Sequence, residues 1–379
     1  MFDSIIIGSG FAGTVVADIL AREGNKKVLV IEKRDHIGGD CYDRPDNPGI
    51  LIHQYGPHIF HTNNKEVFDY LSKYTEWYDY SHKVVARVNG EYIPVPFNLN
   101  TLDMVYGQKA EELSDKLVSF YGEGKRVPIL ELRKNPDKDI QSIADYVYEN
   151  IFLKYTMKQW GQKPEEIDPE VTGRVPVLIS RDNRYFQDTY QGMPKEGFTP
   201  VFEKILNHKN ITVKTGTDAK ECLGFREDGI YYNGEKFNGD VIYTGAIDEL
   251  FDLRYGRLPY RTLTFEFEYH NTDSYQPAAV VNYTVDEDYT RITEYKKLTG
   301  QKAEGTTIMK EYPHSYTGKE GEIPYYAIIN DKNMEIYNRY KNDVSKYKNF
   351  HLLGRLAEYK YYNIDGIIEK ALVLAKELI

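Results

Sequence analysis

A glycine-rich hexapeptide near the start of the chain limits the possible folds more than any other feature of the sequence. Gly8-Ser9-Gly10-Phe11-Ala12-Gly13 follows the apolar run Ser4–Ile7 and opens a helical pattern over Thr14–Glu23. A second apolar run, Lys27–Ile31, ends at Glu32. Two short strands separated by one helix are typical of a parallel β-α-β unit, because parallel neighbours need a crossover of this length. The sequence therefore predicts an α/β fold.

The spacing of the glycines points to a nucleotide. G-x-G-x-x-G between a strand and a helix is the context in which dinucleotides bind. Gly8 permits the tight turn, Gly10 lets the backbone approach a pyrophosphate, and Gly13 lets helix and strand pack closely. Glu32, 19 residues after Gly13, ends the second strand where a carboxylate binds ribose hydroxyls. The motif predicts a Rossmann-like domain but does not by itself separate NAD from FAD.

The rest of the chain predicts two further units. Its 379 residues exceed the size at which one core keeps growing. Apolar residues recur at helical spacing over Ala110–Tyr121 and Ser142–Gln159. The segment Gly122–Lys138 is predicted to be a long surface connection. β-Branched and aromatic residues predict an antiparallel sheet from the segments Arg261–Tyr269, Ala278–Tyr283, Thr306–Tyr312 and Tyr326–Ile329.

We predict three domains from these patterns. The chain returns to the first domain through a strand at Phe350–Gly354 and a helix at Ile364–Leu378. The predicted boundaries are 1–78, 203–250 and 345–379 for the discontinuous dinucleotide-binding domain, 100–165 for the helical domain, and 79–99, 166–202 and 251–344 for the antiparallel sheet domain.

Composition excludes several classes of partner. The net charge of −10 argues against a nucleic-acid surface, which would need a basic patch. Cys41 and Cys222 are the two cysteines, which predicts neither a disulfide framework nor a zinc site and fits a reducing compartment. No apolar run approaches the roughly 18 residues of a membrane span. Since the nucleotide motif begins so close to Met1, we expect no signal peptide and a cytoplasmic protein.

Further motifs carry a resemblance to a known family. Glu32-Lys33-Arg34-Asp35-His36-Ile37-Gly38-Gly39 resembles the extension that glutathione-reductase-like and amine-oxidase-like flavoproteins carry, which favours FAD. Other segments, in order, resemble the prokaryotic UDP-galactopyranose mutases. They are Tyr55 to Thr62, Tyr155-Thr156, Gln159-Trp160-Gly161, Arg174 to Val177, Asn183 to Phe186, Gln191 to Pro194, Tyr289 to Glu294 and Gly354-Arg355-Leu356.

The resemblance implies a fold and a reaction. It implies an FAD domain, a helical domain, an antiparallel sheet and a homodimer. It implies interconversion of UDP-galactopyranose and UDP-galactofuranose, the latter for cell-surface glycans. The flavin must be reduced although the reaction has no net redox change, since its N5 attacks galactose C1 while UDP leaves.

The same resemblance implies roles for individual residues. Arg174 and Arg291 match the two diphosphate arginines, and Tyr155 matches a tyrosine that stacks on uracil. With His58 and His61 they are the predicted catalytic residues. Further predicted substrate residues are Phe152, Thr156, Trp160, Tyr185, Phe186, Asn282, Tyr326, Tyr361, Asn363 and His82. The predicted cofactor residues are Gly8, Gly10, Phe11, Ala12, Gly13, Glu32, Lys33, Gly39, His58, Gly354, Arg355, Ile364 and Asp365.

Several alternatives stay open at the level of sequence. Phe152 and the tyrosines are equally explained by packing. His58 and His61 serve either in proton transfer or in positioning, and no third ligand supports a metal there. Asn363 stands where many relatives carry Asp. His82 stands where some relatives carry Asn. The competing functions are a flavin oxidoreductase of the amine-oxidase or desaturase type, a non-catalytic sugar-nucleotide sensor, and a mutase that also accepts UDP-N-acetylgalactosamine.

Overall fold

The predicted β-α-β unit forms the centre of a five-stranded parallel sheet. In a computed structural model that describes residues 2–161, 163 and 176–379, the spatial order of the strands is Ile211–Lys214, Val28–Ile31, Ser4–Ile7, Asp240–Tyr243 and Phe350–Leu352. All neighbouring pairs are parallel. The chain order reverses at Ser4–Ile7, so the carboxyl end of this strand is the topological switch point where ligands bind in such sheets.

Helices cover this sheet. The first helix, Phe11–Arg22, is almost entirely buried and packs against the last helix, Ile364–Glu377. The α-helices are Phe11–Arg22, Lys65–Leu71, Leu99–Tyr106, Ala110–Tyr121, Ile129–Leu132, Lys138–Val147, Lys154–Trp160, Thr199–Leu206, Ile247–Leu250, Tyr295–Thr299, Asp331–Val344 and Ile364–Glu377. Short 3-10 helices span Gly39–Cys41, Gly107–Lys109 and Ala219–Glu221, and a π-helix spans Tyr148–Leu153.

A seven-stranded sheet forms the second large layer. Its order is Tyr326–Ala327, Tyr260–His270, Thr306–Ser315, Arg291–Glu294, Val280–Tyr283, Val84–Val88 and Glu91–Val95. Every pair is antiparallel except one, because Val280–Tyr283 runs parallel to Val84–Val88. The four segments predicted to form an antiparallel sheet pair antiparallel, and the parallel pair is made with a strand outside them. Nearly two hundred residues separate its two strands, which leaves ample chain for the crossover that a parallel pair requires.

Four smaller sheets lie within the described part of the chain. One of them corrects the prediction that Gly122–Lys138 is a surface connection, because Arg126–Pro128 pairs with Pro176–Leu178 and Ile129 and Leu132 are fully buried. The others are Asp43–Pro45 with Leu51–His53, then Phe60–Thr62 and Trp77–Tyr78 with Tyr190–Pro194, and then Leu223–Arg226 with Gly229–Tyr232 and Glu235–Phe237.

The helices around residues 99–160 share their core with the large sheet. Leu117, Ile140 and Ile143 belong to one buried cluster with Val84 and Val280 from the sheet strands. The core is therefore continuous across the predicted boundary between residues 99 and 100. This packing fixes the helix Lys154–Trp160 beside the sheet, which bears directly on the site described next.

Candidate active site

The glycine turn, Gly8 to Gly13, forms the nucleotide end of the site. Gly8 has φ +100°, and a Cβ on Gly13 would lie 2.1 Å from the Gly8 carbonyl oxygen, so both glycines are needed by the protein's own packing. A Cβ on Gly10 would meet only the Gly39 Cα at 3.7 Å, an ordinary contact. The helix that starts at Phe11 has no side-chain cap and no acidic residue in its first turn. Its backbone N–H groups are therefore available to an anion.

Glu32 closes the nucleotide end at the end of the second strand. Its Oε2 accepts hydrogen bonds from the Ser9 backbone N–H at 2.8 Å and the Ser9 hydroxyl at 2.7 Å, and its Oε1 accepts from the Arg34 N–H at 2.9 Å. The residue is 7% exposed. Two carboxylate oxygens offer about four acceptor positions, so room for a hydroxyl donor remains.

The other cofactor predictions around the glycine turn differ in what their side chains do. Phe11 is buried against Phe198 and Phe202, the latter ring lying 4.5 Å away, so its side chain serves the core. Lys33 is 69% exposed at the side chain and forms a 3.2 Å ion pair with Asp218. Because both side chains are engaged elsewhere, Phe11 and Lys33 would contact a nucleotide through their backbone atoms. Ala12 and Gly354 pack together, since a Cβ on Gly354 would lie 3.6 Å from the Ala12 Cβ.

A cavity of about 650 Å³ begins near the nucleotide end and extends under the large sheet. It gathers most of the residues predicted for the flavin ring and the substrate, although they lie far apart in sequence. The predicted residues that line it are His58, His61, His82, Tyr155, Tyr185, Phe186, Asn282, Arg291, Tyr326, Arg355, Tyr361, Asn363, Ile364 and Asp365.

Arg291 is held in the cavity wall by an acid that the sequence analysis missed. Its Nε lies 3.1 Å from Glu311 Oε2, and its Nη2 donates to the Tyr155 hydroxyl at 3.1 Å. The ion pair is close but not aligned as a hydrogen bond. Burial alone would lower the pKa of Arg291, but the charge of Glu311 and nearby tyrosines raise it. Burial also raises the pKa of Tyr155 to about 12. Arg291 therefore remains a cation facing a cavity lined with hydroxyls.

Aromatic rings also line the cavity. Tyr326 and Tyr361 stack with centroids 6.5 Å apart, and the Arg355 guanidinium lies 4.4 Å from the Tyr361 ring. Trp160 is not among the cavity-lining residues, but its ring packs against that of Tyr326 at a centroid distance of 5.4 Å. Trp160 thus supports a cavity residue, and it does not itself reach the cavity surface.

The structure does not bring Phe152 or Thr156 to the cavity. Their exposures are 2% and 5%, and Phe152 packs in the helical core beside Tyr148. The prediction assumed one α-helical face over residues 152–156. The π-helix Tyr148–Leu153 interrupts the α-helix and changes the phase of the faces, so only Tyr155 of the three points to the cavity. Arg174, predicted as the second diphosphate arginine, lies outside the described residues.

The histidines of the cavity have unequal environments. Burial lowers the pKa of His58 to about 4, helped by the nearby His53, and its Nδ1 lies 2.9 Å from the Gly56 carbonyl oxygen. Burial and the Arg291 charge lower the pKa of His82 to about 3. His61 differs, because its Nδ1 lies 2.8 Å from Asp188 Oδ2. His58 and His82 are therefore neutral near pH 7, which leaves them as hydrogen-bonding groups.

Other charged residues of the cavity also escaped the sequence analysis. Asp40 lines the cavity and is bound by Arg34 at 2.7 Å; burial raises its pKa, but the Arg34 charge outweighs this and lowers it. Asp40 directly follows the glycine pair, a signal that was available. Glu311 lies on the same strand face as Met309 by alternation, so a charge at a buried position was also detectable. No sequence motif around Asp188 indicates that this residue belongs to the cavity.

Comparisons with known proteins bear on this arrangement. A profile of the UDP-galactopyranose mutase family matches residues 150–361, and one of NAD(P)-binding Rossmann-like domains matches residues 6–74. The UDP-galactopyranose mutase of Mycoplasma genitalium is 36% identical over 100% of this chain and 95% of its own. A dTDP-fucopyranose mutase of Escherichia coli is 37% identical over 98% of this chain and 97% of its own. The chain belongs to the UDP-galactopyranose mutase family.

Solved structures agree with this assignment at the level of fold. A crystal structure of reduced UDP-galactopyranose mutase matches 100% of this chain and 93% of its own with a TM-score of 0.71 at 15% identity. Putrescine oxidase structures match with TM-scores near 0.56 at 11–12% identity, so the amine-oxidase likeness is one of fold alone. An (S)-6-hydroxynicotine oxidase aligns over 25% of this chain.

Members of the UDP-galactopyranose mutase family are flavin-dependent isomerases, and the residues present here fit FAD. Gly10 leaves open the space that a side chain would fill, the first helix has an uncapped N-terminus, and Glu32 has free acceptor positions. Arg34 Nη1 is buried and has no hydrogen-bond partner among the described residues, so it can donate to an anionic group. This end of the mutase fold therefore has the donors and the space that a dinucleotide requires.

Metal sites and membrane spans were also sought in the described part of the chain. Residues 2–161, 163 and 176–379 contain no group of three or more His, Cys, Asp or Glu side chains arranged to hold a metal ion. Among the same residues, no helix combines the length and the apolar character that crossing a membrane requires.

Proposed function

We propose that this chain catalyses the interconversion of UDP-galactopyranose and UDP-galactofuranose with reduced FAD. One observation carries the proposal: a single cavity is lined both by residues next to the nucleotide end, namely Asp40, His58 and Arg355, and by Arg291 with its surrounding tyrosines. A flavin ring and a sugar diphosphate can therefore occupy one continuous space. Such a juxtaposition suits a reaction in which the cofactor and the anomeric carbon react directly.

The diphosphate is the group that departs from the anomeric carbon, and it needs positive charge. Arg291 supplies a guanidinium that Glu311 and Tyr155 hold in place. Tyr185, Tyr326 and Tyr361 offer hydroxyls around the same space. Hydrogen bonds to a charged oxygen are stronger than those between neutral groups, so this set stabilises the leaving diphosphate as charge develops. We propose the same role for Arg174.

Reduced FAD, when bound, supplies the nucleophile for the anomeric carbon. Gly8, Gly10, Gly13 and Glu32 would hold its pyrophosphate and ribose, with Gly39, Gly354, Arg355, Ile364 and Asp365 along its course into the cavity. Ile364 and Asp365 begin the last helix, which has no side-chain cap and opens on the cavity. His58 is neutral, so it contributes hydrogen bonds there without carrying a positive charge.

The identity of the nucleobase and of the sugar in the substrate is also proposed. Relatives named as acting on UDP-galactose and on dTDP-fucose reach the same 37% identity to this chain. We propose UDP-galactose as the substrate, since the matching family profile and several relatives of high coverage carry that name. UDP-N-acetylgalactosamine is an additional candidate, because one acetamide group is admitted or rejected by small changes in a pocket.

The test is anaerobic turnover by the purified holoenzyme, with and without dithionite. UDP-galactofuranose, dTDP-fucofuranose and the N-acetylated sugar are supplied separately, and the products are resolved by chromatography. Conversion of UDP-galactofuranose only with reduced flavin supports the proposal. If kcat/KM for the dTDP sugar exceeds that for the UDP sugar by more than tenfold, the proposed substrate is wrong and the dTDP sugar takes its place. Reduction of the flavin by an amine, with no isomerisation, would replace the activity by that of an oxidoreductase.

We further propose a cytoplasmic homodimer. The nucleotide sugar and a reduced flavin both belong to a reducing compartment, and the two cysteines, Cys41 and Cys222, are free thiols in the structure. Light scattering of the purified protein should give about twice the 44.1 kDa chain mass. A monomer over the whole concentration range, or recovery of the protein in a membrane fraction, would contradict this part of the proposal.

A further inference from the structure

The ring exchange moves one proton between two sugar oxygens, and the roles given above name no side chain that carries it. In the pyranose the bond to C1 comes from O5, and in the furanose it comes from O4. The O5–C1 bond breaks and O5 gains a proton; O4 loses its proton and forms the O4–C1 bond. One proton moves from one hydroxyl to the other, and no electron is gained or lost. A side chain that accepts and returns a proton would balance this step.

Three histidines line the cavity, and two of them are poor carriers. His58 and His82 are neutral because burial disfavours their charged forms. Among the described residues neither ring is hydrogen-bonded to a carboxylate, and the Nδ1 atoms lie against the Gly56 carbonyl at 2.9 Å and the Tyr80 hydroxyl at 3.0 Å. The charge of Asp40 favours protonated His58, but burial outweighs it, so a proton taken up by either ring is disfavoured.

His61 is built differently. Its Nδ1 lies 2.8 Å from Asp188 Oδ2, while Asp188 Oδ1 accepts from the Asn63 amide at 2.6 Å. Since both carboxylate oxygens act as acceptors, Nδ1 carries the proton and Nε2 keeps its lone pair. The ring also stacks on Phe186 at a centroid distance of 3.5 Å, which fixes its plane.

The surroundings of this pair leave Nε2 available. No described residue forms a hydrogen bond with His61 Nε2, and His61, Asn63 and Asp188 all line the cavity. The other charged or titratable groups that face the pair are Arg126, which interacts with Asp188, and His82, which lies near His61 and Arg291. His61 and Asp188 are arranged like the base and the orienting carboxylate of a catalytic triad. A substrate hydroxyl would take the place of the triad's nucleophile.

We propose that His61 Nε2 takes the proton from O4 and returns it to O5, and that Asp188 is the positioning residue that fixes the tautomer and compensates the imidazolium. This inference rests on the proposed function, since it concerns the sugar hydroxyls of that reaction. It selects His61 over His58 as the proton carrier and adds Asp188, which lies 127 residues away in sequence.

The experiment separates bond cleavage from ring exchange. Reduced holoenzyme is given UDP-galactopyranose with ¹⁸O in the bridge between C1 and the diphosphate. Cleavage of the C1–O bond scrambles the label into non-bridging positions, whereas furanose formation needs the proton transfer as well. In His61→Gln we expect furanose formation to fall about 10²-fold or more, with scrambling within about threefold of wild type. In Asp188→Asn we expect a fall of about tenfold in kcat, with KM within about threefold.

A matched control comes from a second histidine-aspartate pair. His351 Nε2 lies 3.0 Å from Asp240 Oδ1, at the parallel sheet and away from the residues that line the cavity. His351→Gln should leave both rates within about twofold. In His61→Ala, added imidazole should restore furanose formation at least about tenfold, and it should have no such effect on wild type.

The outcomes are distinguishable. Normal furanose formation in His61→Gln overturns the assignment, as does an equal loss of scrambling and furanose formation in a variant that retains its flavin. Lack of imidazole rescue in a folded, flavin-bound His61→Ala protein also counts against it. If wild type neither scrambles the label nor forms furanose, the proposed function itself fails.

Discussion

The two ends of the site are built on opposite principles. The nucleotide end is assembled from neighbours in sequence, with the glycine turn, Glu32 and Gly39 all within the first forty residues. The cavity wall draws its residues from segments between Asp40 and Asp365. The first end depends on what the backbone can do locally, and the second depends on where the folded sheets bring distant side chains. The same difference should separate the effects of mutations.

The contrast is clearest in the two buried acids. Glu32 accepts hydrogen bonds from the backbone N–H groups of Ser9, just after the adjacent strand, and of Arg34, two residues along the chain. Glu311 is 1% exposed, and Arg291 is the cation beside it, reached only because two strands pair in register. Burial raises the pKa of Glu311, and the Arg291 charge opposes that rise. Glu311 therefore needs the charge of Arg291 on the paired strand, whereas Glu32 is satisfied mainly by backbone N–H donors.

The largest expected effect is at the nucleotide end. Gly10→Val should give a folded, colourless and inactive protein, because the added side chain occupies the space for the pyrophosphate while the nearest protein atom to its Cβ is 3.7 Å away. Flavin absorbance and far-UV circular dichroism measure this. Gly224→Val is the matched control, since its Cβ would meet Tyr231 at 3.6 Å on a remote strand. A fully yellow, active Gly10→Val protein would refute the assignment of this end.

At the cavity wall, Arg291→Ala should lower kcat by about 10²–10³-fold while FAD stays bound, on the scale of a lost electrostatic stabiliser. We expect the same of Arg174→Ala. Because Arg291→Ala leaves Glu311 buried and unpaired, the double variant Arg291→Met/Glu311→Gln is measured beside it. Arg87→Ala is the control, since this arginine is 44% exposed at the side chain in the same sheet. Near-normal kcat in the folded double variant would refute the role of Arg291.

Acid should destabilise the folded protein through three buried histidines, two of which, His58 and His82, line the cavity. The pKa values of His53, His58 and His82 are lowered to about 3, 4 and 3 from an ordinary 6.5. These rings are neutral in the folded protein and become charged on unfolding below pH 6.5. Their contribution is thus intact above pH 6.5 and is lost as the pH falls toward 4, by about 1.4 kcal/mol per pH unit for each histidine.

Urea unfolding of the holoenzyme, followed by tryptophan fluorescence at several pH values between 7.5 and 4.5, measures this slope. In His82→Asn the slope of the unfolding free energy against pH should decrease by up to about 1.4 kcal/mol per pH unit below pH 6.5, because one buried neutral ring is gone. An unchanged slope would mean that His82 is not buried in its neutral form. His208→Asn, a change outside the cavity, should not alter the slope.

The smallest effect is expected at Lys33, although it stands beside Glu32. Its side chain is largely exposed and pairs with Asp218, so Lys33→Ala should change the Kd for FAD by less than about threefold. Titration of the apoprotein with FAD measures this. A loss of more than tenfold would show that the Lys33 side chain, rather than its backbone, contacts the cofactor.

The sequence predicted the local elements well and the assembled ones unevenly. The strand Ser4–Ile7 and the helix Ala110–Tyr121 are confirmed with the predicted bounds. The prediction for Gly122–Lys138 was wrong, because glycines and charges suggested a loop while Val127, Ile129 and Leu132 enter the core. The continuous helix predicted over Ser142–Gln159 is interrupted by the π-helix, a change of hydrogen-bond pattern that apolar spacing does not reveal.

What the sequence determined alone is the dinucleotide fold, since a turn that needs positive φ and close backbone contact accepts glycine at a few fixed positions. Only the tertiary structure decided which of the many tyrosines, histidines and acids face one another. It made Phe152 a core residue, placed Glu311 beside Arg291 and brought Asp188 to His61. The physical reason is that local sterics act between neighbours in the chain, whereas burial and ion pairing depend on how strands and helices pack, which can join residues as far apart as His61 and Asp188.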